Sequence, residues 1–152
     1  MLFRILSACL LILAASAVSF AQASKTKSAS STSPDIQAIR SSPAYAELLL
    51  HKTELESTLE SLLFDYNEEY PKVKQLRVES TLVNAEMMRL IAVKPADAGK
   101  LTLALGRLML RKVELETELN TLRLQYKDDH PDVRKLKRKI DVFESAIREI
   151  LG

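Results

Sequence analysis

Tyr126-Lys127-Asp128-Asp129-His130-Pro131-Asp132-Val133 decides the fold, because a near relative stands sixty residues earlier as Tyr66-Asn67-Glu68-Glu69-Tyr70-Pro71-Lys72-Val73. Extending the match outward aligns Leu48–Leu90 with Leu108–Ile150 without a gap, and twelve of the 43 pairs are identical. Leu55/Leu115, Leu59/Leu119, Leu62/Leu122, Tyr66/Tyr126, Pro71/Pro131, Val73/Val133 and Leu76/Leu136 are among them. Biased helical composition can mimic a repeat, but not an ungapped one that keeps both a tyrosine and a proline. The chain therefore reads as a duplication.

Each copy has a helical period. Tyr45, Leu48, Lys52, Leu55, Leu59, Leu62 and Tyr66 alternate spacings of three and four, as do Leu105, Leu108, Lys112, Leu115, Leu119, Leu122 and Tyr126. Val133, Leu136, Ile140, Phe143, Ile147 and Ile150 continue the pattern after the second proline. Such stripes are seams that hide one face of a helix. The segment after Pro71 is weaker, with Ser80 in its seam.

Four polar or aromatic residues followed by proline make a short helix–helix turn, since proline inside a helix costs about 3 kcal/mol and moves the preceding residue out of the α region. The seam also runs in phase across each proline, so a kinked continuous helix remains the alternative. Lys94-Pro95-Ala96-Asp97, with Gly99, joins the copies. The expectation is an all-α protein of two tandem antiparallel hairpins, repeat 1 over 42–94 and repeat 2 over 95–152, with helices near 43–68, 71–93, 97–127 and 131–151.

The N-terminus reads as a secretory signal over 1–23. Arg4 precedes an uncharged stretch from Ile5 to Phe20, and Ala21-Gln22-Ala23 offers a small-x-small cleavage site. The stretch falls short of the roughly 20 residues that span a bilayer, and an uncleaved anchor is the competing reading. Leu6-Ser7-Ala8-Cys9 resembles a lipobox, but most of the apolar stretch follows Cys9 rather than preceding it. Cleavage near Ala23 would remove that sole cysteine, and with it disulfides and thiolate chemistry. Residues 24–41 are Ser/Thr-rich at first and read as a flexible tether, with order beginning near Ser42-Pro43.

Lys+Arg total 22 against 20 Asp+Glu, which is no electrostatic footprint for nucleic acid. Asp128, Asp129, His130 and Asp132 are the nearest approach to a metal site. The first copy has Glu68, Glu69, Tyr70 and Lys72 there, so the proline recurs while the ligands do not. A helix cap is the better reading. His51 aligns with Arg111 and reads as solvated. Lys52 and Lys112 fall in the seams, where a charge limits register and can snorkel outward. No catalytic, cofactor-binding or metal residues are assigned, and the chain is not expected to be an enzyme. Arg134, Lys135, Lys137, Arg138 and Lys139 form one dense basic run, either a solvated face or a contact for an anionic envelope component.

The segment Tyr126…His130-Pro131-Asp132-Val133, with its counterpart Tyr66…Pro71-Lys72-Val73 and the following Leu76 and Leu136, resembles the periplasmic coiled-coil region of polysaccharide chain-length determinant and exopolysaccharide export proteins. The resemblance implies a periplasmic helical hairpin in an envelope-polysaccharide setting, without that family's flanking transmembrane helices or kinase domain. Protein partners met through the seams, self-association included, are the expected ligands. A periplasmic holdase-type chaperone is the alternative.

Overall fold

The computed structural model describes residues 34–152, so the expected secretory signal, Cys9, the expected cleavage site near Ala23 and the first part of the expected tether lie outside the described residues. Five α-helices follow in order: α1 (Pro34–Arg40), α2 (Pro43–Asp65), α3 (Pro71–Ile91), α4 (Leu103–Arg123) and α5 (Pro131–Leu151). A 3₁₀ turn, Pro95–Lys100, joins α3 to α4. There is no strand among the described residues, and the class is all-α. No helix among them is long and apolar enough to cross a membrane.

Both prolines make turns rather than kinks. α2 stops at Asp65 and α4 at Arg123, each several residues short of its proline, and α3 and α5 restart with Pro71 and Pro131 in the first helical turn. The missing proline N–H is one the helix start leaves unpaired anyway. The duplication also extends to the helix starts. Tyr45 N–H donates to Ser42 Oγ at 3.3 Å, and sixty residues later Leu105 N–H donates to Thr102 Oγ1 at 3.3 Å. That second cap moves the start of α4 from the expected 97 to 103.

α2 pairs with α3 and α4 with α5, and α4 packs on all three of the others. The main core is broadest at the base, where Leu48, Leu90, Leu101, Leu105, Met109, Val113 and Ile147 come together, and it runs on through Leu55, Val83 and Leu76 toward the tip of the first hairpin. A second core, Leu115, Leu119, Val133 and Leu136, fills the distal part of the α4–α5 hairpin. The close approach at the base is made at Gly106. A Cβ there would stand 3.0 Å from Ala44 Cα and 3.1 Å from Ala44 O, while Ala44 N–H donates to Leu101 O at 3.1 Å.

The expectation of a flexible tether as far as residue 41 fails over its last part. Residues 34–40 form α1, and Ile39 is 2 % exposed within the main core. The Ser/Thr-rich composition ends before Ile36 and Ile39, which supply the apolar surface needed to offset ordering entropy.

Candidate interaction site

The two hairpin tips lie at the same end, because α3 starts where α4 finishes. Each tip is built in the same way. Tyr66 stacks on Tyr70, with ring centroids 4.0 Å apart, and Tyr126 stacks on His130 at 4.2 Å. The stack spans the turn and delivers the chain to the proline. An ion pair then ties each turn to the helix that follows. Arg77 holds Glu68, and at the equivalent positions Lys137 Nζ meets Asp128 Oδ2 at 2.9 Å. Arg123 adds two further hydrogen bonds to Asp128, at 2.9 and 3.2 Å. Together Arg123 and Lys137 hold the Asp128 carboxyl down to about 2. Val73 and Val133 are fully buried one turn beyond the prolines, with Leu76 and Leu136 close behind.

This accounts for the acidic segment of the second copy. Asp128 is engaged by two cations, and His130 caps α5 by accepting from Asp132 N–H through Nδ1 at 3.3 Å. Among the described residues no three His, Cys, Asp or Glu side chains converge as metal ligands would. The pairing of Tyr70 with His130 is a feature that sequence identity hides. The two residues differ in chemistry, yet both present a planar ring four positions after the tyrosine.

Beside the stacks, each tip shows one large apolar side chain to solvent. Phe64 is 94 % exposed and Leu124 is 83 % exposed, at equivalent positions of the two copies. Both lie off the seam, so a search for seam residues passes over them. The pairing of two large apolar residues sixty apart was the available signal. Leu124 also lines a cleft of about 660 Å³ between the start of α3 and the end of α4, with Tyr70, Pro71, Val78 and Thr121 among its walls.

Lys112 does not snorkel freely. Its Nζ meets Glu86 of α3 at 2.6 Å, Glu144 of α5 at 3.1 Å and Glu116 at 3.5 Å. Arg89 closes the cluster by donating twice to Glu144, at 2.9 and 3.0 Å. One lysine thereby joins three helices. Burial pulls its ammonium down, but the carboxylates around it, Glu86 first, outweigh that and raise it. Arg89, with Lys112, holds Glu144 below the usual carboxylate range, whereas burial pushes Glu116 up against the pull of Lys112. Lys52, its counterpart, forms a salt bridge with Glu56 alone among the described residues, at 3.5 Å.

His51 is not solvated as expected. It is half-buried, and its Nε2 lies 3.0 Å from Glu79 Oε1 on α3, so it bridges the first hairpin. The basic run divides by register. Lys137 turns to Asp128, while Arg134, Lys135, Arg138 and Lys139 share the outer face of α5, all exposed and in no salt bridge with a described residue. No protein-family model, curated protein or solved structure matches this chain.

Proposed function

We infer that the chain is a non-catalytic, exported interaction protein of the cell envelope that engages its partner through the distal end of its paired hairpins. The observation that carries this reading is the matched exposure of Phe64 and Leu124, the two most exposed large apolar side chains among the described residues, beside a largely apolar cleft. Single exposed apolar side chains are ordinary on protein surfaces. A pair at equivalent positions of a duplicated tip is not scattered, and covering each would return about 1.5–3 kcal/mol.

Export rests on the leader sequence, with its single Arg4 and the Ala21-Gln22-Ala23 site. The polysaccharide setting rests on the Tyr…His-Pro-Asp-Val resemblance alone. The absence of catalysis is proposed because Asp128, Glu86, Glu144 and both histidines are committed to ion pairs, a cap or a ring stack. The cleft favours the second reading, a holdase that shelters apolar segments of unfolded clients, since most of its wall surface is apolar even though Glu69, Lys72, Lys74 and Asn120 rim it.

Chemical cross-linking in envelope fractions, comparing wild type with Phe64→Ser/Leu124→Ser, tests the first reading. A discrete adduct that recurs with wild type and disappears with the variant is expected. Recovery of both proteins only as monomers would contradict it. Suppression of outer-membrane-protein aggregation by wild type but not by the variant, without a discrete adduct, selects the holdase.

A further inference from the structure

We propose that the chain associates with a second copy of itself, head to tail, by repeating between molecules the contact that joins its own two hairpins. Inside the molecule, the second helix of hairpin 1 lays one face on the first helix of hairpin 2. Gln75 and Glu79 of α3 face Glu114, Thr117, Glu118 and Thr121 of α4, and nearer the tips Val78 shares a cleft with Asn120 and Leu124. Adding sixty to the α3 positions gives Lys135, Arg138 and Lys139 on α5. Subtracting sixty from the α4-side positions gives Glu54, Ser57, Thr58, Glu60, Ser61 and Phe64 on α2. Every one of these nine residues is exposed. The molecule therefore ends on one side with the face that hairpin 1 uses for docking, and on the other with the face that receives it.

The two open faces are complementary in charge. Arg134, Lys135, Arg138 and Lys139 make no salt bridge to a described residue, and neither do Glu54 and Glu60. In the repeated contact Lys139 takes the place of Glu79 and meets Glu54, while Arg138 takes the place of Val78 and comes beside Glu60. The internal contact brings Glu79 toward Glu114 and Glu118, so the contact between molecules is the better matched of the two. Apolar residues follow the same rule. Leu82 and Leu110 pack against the main core, whereas their counterparts Val142 and Leu50 stand 67 % and 58 % exposed on the two open faces. At the base, the positions equivalent to Ala44 and Gly106 are Ala104 and Ala46, both exposed, and the Cβ of Ala46 sets the two helices slightly farther apart than Gly106 allows inside the molecule.

A heterologous contact of this kind is not closed by a two-fold axis and can extend beyond a dimer, as stacked repeat units do. Leu124 stays exposed although it borders the internal contact. Phe64 would stay exposed in the same way beside the contact between molecules, so assembly would array the tips without covering them. The proposal goes beyond the tip-docking reading and does not depend on it.

Sedimentation velocity of the full chain after export tests it, at low and high ionic strength. The apparent mass is expected to rise with concentration past that of a dimer, and the association constant to fall about tenfold or more between dilute and roughly 0.3 M salt. Arg138→Glu/Lys139→Glu and Glu54→Lys/Glu60→Lys should each weaken association about tenfold or more, and the fourfold variant carrying both reversals should recover it to within a few-fold of wild type. All four positions are exposed, and circular dichroism checks that each variant stays folded. Three results would overturn the proposal: a wild type monomeric at high concentration and low salt, association indifferent to both reversals, or a fourfold variant as weak as its parents. A monomeric wild type that binds phosphatidylglycerol vesicles through Arg138 and Lys139 would overturn it in favour of an anionic lipid surface. Loss of tip cross-links without loss of self-association would sink the tip reading and leave this one standing.

Discussion

Replacing Lys112 with methionine would take from the buried carboxylate of Glu86 its one hydrogen bond, at 2.6 Å, and leave it the looser 3.7 Å ion pair to Arg89. Losing one partner of a buried pair costs about 3 kcal/mol or more when nothing else meets the charge, whereas removing both together is often close to neutral. With Arg89 still beside Glu86, Lys112→Met should lower the urea-unfolding free energy by roughly 1–3 kcal/mol, and Lys112→Met/Glu86→Leu should recover most of that loss. The acidic members of the cluster respond to pH in opposite senses. Glu144 is held down by Arg89 and Lys112, so its contribution is complete above the usual carboxylate range and is lost as pH falls through its depressed folded value. Glu116 is raised by burial, so its charge weighs against the fold at neutral pH and protonation relieves that weight. In urea titrations at pH 7, Glu144→Gln should be destabilising and Glu116→Gln neutral or stabilising. The penalty for Glu144→Gln should shrink as pH falls below the usual carboxylate range, where the wild-type carboxylate protonates too. The seam position of Lys112 was legible in the sequence, and so was the i,i+4 spacing to Glu116; its partners on other helices, Glu86 and Glu144, were not. They stand 26 and 32 residues away, and no local spacing reports them.

The hairpins were legible as elements because proline, tyrosine and the leucine period all recur at one offset. What closes each turn was less so. Tyr70 and His130 look like a difference between the copies, and only the stacked rings reveal a common role. An aromatic pair is worth about 0.5–1.5 kcal/mol beyond its burial. Tyr126→Ala should thus destabilise by about 1 kcal/mol and raise hydrogen exchange in residues 124–132 far more than at the base, where the main core is untouched. α1 escaped detection for a related reason. Two isoleucines in a short segment make no visible period, although one of them is enough to anchor a turn of helix on the core. Where α2 crosses α4, Gly106→Ala sets helix propensity against space. The gain of about 1 kcal/mol in propensity is opposed by a Cβ at 3.0 Å from a backbone atom, which cannot yield as a flexible side chain would. A net loss of roughly 1–2 kcal/mol in chemical denaturation is expected, larger for Gly106→Val.

At the scale of the molecule, duplication separates what the fold needs from what is left over. Seam leucines, prolines, caps, ring stacks and tip ion pairs recur and build the hairpins. Phe64 with Leu124 at the tips, and the acidic and basic faces at the two sides, stay exposed and take no part in building the hairpins. The basic run shows why such surfaces are only half visible in a sequence. Five cations in six positions read as one patch, but helical register gives Lys137 to Asp128 and leaves the other four on a single outer face. The claim that the distal end is the working end is tested most directly by photo-cross-linking in intact cells, with a benzophenone amino acid placed in turn at positions 64, 124 and, as a control near the base, 103. Adducts of one discrete size from 64 and 124 but not from 103 are the predicted result. Adducts from 103 alone, or from none of the three positions, would contradict it.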